Sequence, residues 1–97
     1  MDIEVTEERK EDGSLGQYTL VVDGEEAGEL NWSGRDGHRT ITHTGVRHTY
    51  RNRGLAAVLM ARAMDDARAE GVRVRPVCSY AVRFLDENNS YDDLVDR

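Results

Sequence analysis

Cysteine, proline, lysine, tryptophan and phenylalanine each occur only once in these 97 residues. A single cysteine, Cys78, excludes an internal disulfide framework and fits a reducing compartment. No run approaches the roughly 18 apolar residues of a membrane-spanning helix. The opening Met1-Asp2-Ile3-Glu4 has neither the basic nor the apolar region of a secretory signal. Internal repeats, linkers and low-complexity stretches are also missing. Hydrophobic residues make up 38% of an 11.0 kDa chain, enough for one modest core and not for two. The expectation is one domain over residues 1–97, in the cytoplasm and without a membrane partner.

Charge is plentiful but uneven. The net charge of −6 divides into −8 over residues 1–30, +5 over 31–75 and −3 over 76–97. An acidic chain lacks the broad basic face that nucleic acid requires, so a nucleic-acid partner is excluded. The arginine excess of the middle third suits a smaller anion, such as a phosphorylated cofactor. The acids of the first third either keep the chain soluble or draw a cation towards Glu25, Glu26 and Glu29.

The first half reads as strands. Residues 3–9, 17–22, about 26–32 and 38–46 carry β-formers, with Glu11 to Gly16 as a loop and Asp23-Gly24 as a hairpin turn. A second turn is expected within Asn31 to Gly37. Gly54–Glu70 then reads as a helix, with Ala56, Leu59, Met60, Ala63 and Ala67 on one face, extended by Met64. Arg62, Asp65, Asp66 and Arg68 lie on the solvated side. Gly71 stops the helix, Val72–Val77 is a short strand, and Ser79–Asn88 is a second helix with Ala81, Val82, Phe84 and Leu85 inward. Residues 91–95 form a tail that docks. The predicted class is α+β: an antiparallel sheet leading into a strand–helix–strand unit, then a short C-terminal helix.

Arg51-Asn52-Arg53-Gly54-Leu55-Ala56, between strand and main helix, carries the chemistry. The first N–H groups of a helix lack internal partners, and with the helix dipole they attract an anion such as a pyrophosphate. Gly54 allows close backbone approach, and Arg47, Arg51 and Arg53 supply charge-assisted contacts. Neither a P-loop nor a dinucleotide fingerprint is present. The alternative is an ordinary helix entry with solvated arginines.

Arg51-x-x-Gly54-x-Ala56 resembles the Arg/Gln-x-x-Gly-x-Gly/Ala signature of the GNAT superfamily of N-acetyltransferases. The flanking His43-Thr44-x-Val46, Pro76-x-Cys78-x-Tyr80 and Tyr91-x-Asp93-Leu94-Val95 are similar to the minimal, single-domain GNAT-like family (YjdJ-type). The resemblance covers the chain from the Asp23-Gly24 turn to the tail. It implies the GNAT-type acyl-CoA N-acyltransferase fold and acetyl-CoA as cosubstrate, with no metal. On the matching positions, Thr44 and Val46 would meet the pantetheine arm, and the N–H near Val46 would polarise the thioester carbonyl. Arg51, Asn52, Arg53, Gly54, Leu55 and Ala56 would wrap the pyrophosphate. The implied reaction is acetyl transfer to a small amine or a protein lysine. The alternative is an acyl-CoA-binding module or sensor with little turnover. Two positions depart from the pattern. Gly45 stands where many members carry an acid, and Leu85 where larger members carry a proton-donating tyrosine.

Two catalytic candidates remain. Cys78 sits where a strand gives way to a helix, a position that favours thiolate chemistry, or it is a small buried hydrophobe. His43 is a general base or a strand histidine bonded to a neighbouring carbonyl. Tyr80 bonds the cofactor, serves as an acid or, more simply, packs in the core, as Trp32 does. His38, His43 and His48 recur every five residues, a spacing that alternates strand faces, so a shared metal is rejected.

Overall fold

The computed structural model describes residues 1–96. The C-terminal boundary of the expected domain, Arg97, lies outside the described residues. Strand β1 (Ile3–Arg9) is antiparallel to β2 (Leu15–Val22), β2 to β3 (Glu25–Arg35), and β3 to β4 (His38–Val46). Helix α1 (Leu55–Glu70) then crosses to β5 (Arg73–Pro76), which lies parallel to β4. The sheet order is β1-β2-β3-β4-β5, and helix α2 (Ser79–Glu87) follows. The expected α+β class and element order hold.

Two Asp-Gly pairs make the hairpins. Asp23 and Gly24 have φ of 49° and 83°, and Asp36 and Gly37 have 52° and 78°. Positive φ at both positions matches the twist of the strands they join. The second turn is thus Asp36-Gly37 alone, and β3 runs on to Arg35 rather than ending near residue 32. Strand β2 also starts earlier, at Leu15. Gly16 is not a loop glycine: a Cβ there would lie 2.2 Å from the Trp32 indole, so the strand needs glycine to pass the ring.

Helix α1 buries Leu55, Leu59, Met60, Ala63, Met64 and Ala67 against Tyr18, Leu20, Leu30 and Ile41 of the sheet. Fully buried side chains such as Leu59 and Met60 each contribute about 1.5–3 kcal/mol relative to exposure. Leu55, rather than Ala56, heads the stripe, which leaves Ala56 half-exposed. Asp66, expected in solvent, instead accepts the Tyr18 hydroxyl at 2.7 Å and pairs with Arg62 at 3.0 Å. The helix ends as a Schellman motif: Gly71 has φ 71°, and the Val72 N–H reaches the Ala67 carbonyl at 3.1 Å. In α2, Ala81 and Leu85 are buried, whereas Val82 and Phe84 are only partly so. The tail docks as expected: Val95 bridges Val74, and the Asp96 N–H bonds the Val74 carbonyl at 2.8 Å.

A bulge at Thr42 shapes the functional end. Trp32 pairs with Ile41 and Asn31 with His43, so Thr42 is the extra residue. Strand β5 pairs with β4 only as far as Ile41–Pro76. The Val77 and Cys78 N–H groups both turn onto the Ile41 carbonyl, at 3.1 and 3.2 Å. Beyond Ile41, β4 therefore runs to Val46 with β3 on one edge and, among the described residues, no strand on the other.

Candidate functional site

The unpaired edge of β4 opens into a groove of ≈ 480 Å³. Its floor is Thr44, Gly45 and Val46, and its far end is the start of α1 at Gly54, Leu55 and Ala56. The entry loop curls through two left-handed residues, Asn52 at φ 65° and Gly54 at φ 73°. A Cβ on Gly54 would meet nothing within 4 Å, so φ alone calls for glycine there. Among the described residues no side chain caps the N-terminus of α1, and its first turn holds no acid. Its first N–H groups stay free for an anion.

Cations rim this end. Arg51 donates from Nε to the Val46 carbonyl at 3.0 Å, tying the loop to the strand end. Arg83, on α2, lines the groove from the other wall together with Tyr80. Of the eight expected cofactor contacts, Thr44, Val46, Arg51, Asn52, Gly54, Leu55 and Ala56 line the groove. Arg53 does not: its guanidinium lies 5.9 Å from the Tyr50 ring. Tyr50 and Arg83 join them in lining the groove, beyond the residues the sequence signature covers. The Tyr50 hydroxyl donates to Glu25 at 3.0 Å, and that bond raises the phenol pKa.

Cys78 caps α2. Its sulfur accepts the Ala81 N–H at 3.4 Å, and its S–H donates to Thr44 Oγ1 at 3.6 Å across the gap between β4 and β5. It is half-buried, beside Thr44 of the groove floor. Tyr80 both packs against the core and lines the groove, and burial lifts its phenol pKa. Leu85 is 1% exposed within the core and has no proton to offer.

His43 lies on the other side of β4, sharing the face of Asn31. Its ring makes no hydrogen bond among the described residues. Here the alternating-face argument needs correction. The Thr42 bulge puts His38 and His43 on the same face, but His38 is held at the far end of β4 by the Asp36 carbonyl at 3.0 Å and Asp96 at 2.6 Å. Among the described residues no His, Cys, Asp and Glu group could hold a metal ion. A second hollow, of ≈ 320 Å³, lies beside His43. A larger, more open hollow of ≈ 520 Å³ covers the β1–β2 hairpin near Lys10 and Leu15. It has no uncapped helix start, so the groove at α1 is the better candidate.

The family model for the GCN5-related N-acetyltransferases matches residues 17–94. The chain belongs to that family. Among solved structures, this GCN5-related chain resembles a GCN5-like N-acetyltransferase-family protein of Staphylococcus aureus at TM-score 0.71 and 21% identity, covering 96% of this chain and 87% of that one. It also resembles the ribosomal-protein-S18-alanine N-acetyltransferase of Escherichia coli at TM-score 0.67 and 18% identity, covering 81% of this chain and 53% of the enzyme. A streptothricin acetyltransferase homologue of Bacillus anthracis, solved with acetyl coenzyme A, matches at TM-score 0.56 and 17% identity, covering 63% and 36%. The GCN5-related fold is thus shared, while the chain spans about half of the E. coli enzyme and about a third of the B. anthracis protein. No protein of curated function matches the sequence. No helix among the described residues is long and apolar enough to cross a membrane.

Proposed function

We propose that this chain, as one domain over residues 1–97, binds acetyl-CoA and transfers its acetyl group to a primary amine. The observation that carries this reading is one groove that joins the uncapped start of α1 to the unpaired edge of β4. The free N–H groups of residues 55 and 56, with Arg51 and Arg83, suit a pyrophosphate. The open edge of β4 suits an extended arm that hydrogen-bonds as an added strand. Acetyl-CoA supplies the acyl group as a thioester. The backbone N–H near Val46 would stabilise charge on the carbonyl oxygen. His43 would take a proton from the amine. Cys78, beside Thr44, would return one to the departing thiolate or accept the acetyl group itself.

Acceptors named among similar proteins are a ribosomal protein and the antibiotic nourseothricin. For this chain the shallow surroundings suit a small amine or an exposed lysine in the cytoplasm. The YjdJ-type subdivision rests on motif resemblance. Gly45, which leaves the strand without an acid there, and Leu85, which cannot donate a proton, favour a binding module with little turnover.

Calorimetric titration of acetyl-CoA, paired with release of free CoA thiol in the presence of amines, tests the proposal. Micromolar binding that Gly54→Trp abolishes, with amine-dependent thiol release, is the expected result. Absence of binding in the wild type would overturn the reading.

A further inference from the structure

The His43 ring and Gly45 stand in an unusual relation. A Cβ built on Gly45 would lie 3.0 Å from His43 Nε2 and 3.3 Å from Cε1, and nothing else is near it. The imidazole thus leans along β4 into the space that a side chain at position 45 would fill. There it faces the 320 Å³ hollow on the helix-free side of the sheet, with no hydrogen-bond partner among the described residues. That hollow and the groove at α1 share Gly45, Val46 and Arg51, so only the end of β4 and its arginine separate them. The backbones are close here too: a Cβ on Gly28 of β3 would meet the Gly45 carbonyl oxygen at 2.6 Å.

We infer that Gly45 is a positioning residue which, by lacking a side chain, seats the His43 imidazole over the end of β4. The inference rests on the acetyl-transfer reading above and adds the origin of the base's position. The charged groups around the ring are Glu26 and Glu29 from β3, with Arg47 and Arg51 beyond β4, while β2 contributes the neutral Gln17 and Thr19. An acceptor ammonium would meet the two carboxylates and give one proton to His43 Nε2. The amine nitrogen would then bond to the thioester carbonyl carbon, and the C–S bond would break. CoA would leave as thiolate and be protonated by the Cys78 thiol, which regains the second amine proton, and the imidazolium would release its own to water. The acceptor class is a primary amine, on a small polyamine or on a lysine side chain.

The test compares wild type, His43→Ala, Gly45→Ala and the double variant. Spermidine and a lysine-bearing peptide serve as acceptors, and acetyl-CoA affinity is measured for each protein. Gly45→Ala places its methyl against the far end of a flexible side chain, so the fold should persist. The expected result is a loss of kcat/KM on the order of 100-fold for His43→Ala, and a similar loss for Gly45→Ala. The double variant should be no worse than either single one. Both single variants should lose the same limb of the pH profile, while acetyl-CoA affinity changes less than about twofold. The faster acceptor identifies the source of the amine. Additive losses, or an unaltered pH profile in Gly45→Ala, would overturn the inference and leave the acetyl-transfer reading standing. No acetyl-CoA binding, or binding without turnover, in the wild type overturns both.

Discussion

Cys78 and Thr44 face each other where β4 and β5 part, the Cys78 S–H donating to Thr44 Oγ1 at 3.6 Å while the same sulfur accepts the Ala81 N–H at 3.4 Å. The first bond points towards the groove and the second holds a helix end. One atom therefore carries a structural role beside the chemical one proposed for it. Two substitutions separate them. Cys78→Ser keeps a good N-cap and removes the thiol; Cys78→Ala removes both. The expectation is that only Cys78→Ala loses stability, by about 0.5–1 kcal/mol, whereas amine acetylation falls at least about tenfold in both. Thermal unfolding and steady-state rates are the measurements. Full activity in Cys78→Ser would remove the thiol from the mechanism.

Arg83 offers a cleaner charge test than Arg51, because Arg51 also ties the loop to the Val46 carbonyl at 3.0 Å. Arg83 has an exposed pair with Glu87 at 3.6 Å and lies 5.8 Å from the Tyr80 ring. Arg83→Ala should weaken acetyl-CoA binding about tenfold, the value of one charge-assisted phosphate contact. It should also lessen the dependence of affinity on salt. Titrations at two ionic strengths check this, and an unchanged affinity would place Arg83 away from the phosphates.

Much of this was legible in the sequence, because the local signals and the tertiary structure agree. Asp-Gly turns, the 3.6-residue stripe of α1 and Gly71 each act within a few residues. The loop that enters α1 was legible for the same reason, since a glycine before a helix start is a local feature. The features that escaped notice depend on contacts far along the chain. Gly16 was read as loop because its requirement is the Trp32 ring on another strand. The Thr42 bulge, which turns His43 to the outer face, leaves no mark on composition. Asp66 was assigned to solvent because its partner, Tyr18, lies 48 residues away. Arg83 reaches the groove only through the relation between β4 and α2.

The close approach at Gly16 gives a sharp prediction of its own. The Trp32 ring cannot move aside easily: Arg39 lies 4.4 Å from the ring centroid and Arg9 lies 5.4 Å from it. A methyl at position 16 must push the strand or the indole. Gly16→Ala should therefore destabilise by about 1–3 kcal/mol, seen as a lower urea midpoint and altered tryptophan fluorescence. Gly54→Ala provides the contrast. It meets no atom within 4 Å and is penalised only by its φ of 73°, so fluorescence should be unchanged while stability falls by about 1–2 kcal/mol.

Glu70 links the two arginines that flank Trp32. Its carboxylate accepts from Arg9 at 2.7 and 3.0 Å and from Arg39 at 2.6 Å. These bonds, Arg9 first, lower its pKa from 4.5 to about 2. The unfolded chain therefore binds the proton more readily than the folded one. The contribution is fully present above about pH 4.5 and is lost as pH falls towards about 2. The side chain is 36% exposed, so solvent screening limits the contribution to about 1 kcal/mol. Other carboxylates, Asp12, Asp93 and Asp96, are also shifted downwards by their hydrogen bonds, so acid unfolding of the wild type alone does not isolate Glu70. The difference between wild type and Glu70→Gln does. At pH 7 the variant should be less stable by about 1 kcal/mol, and the gap should close between pH 4.5 and pH 2. A gap that stays constant through that window would mean that Glu70 supports the fold by packing over the Arg39–Trp32 stack and not by its charge.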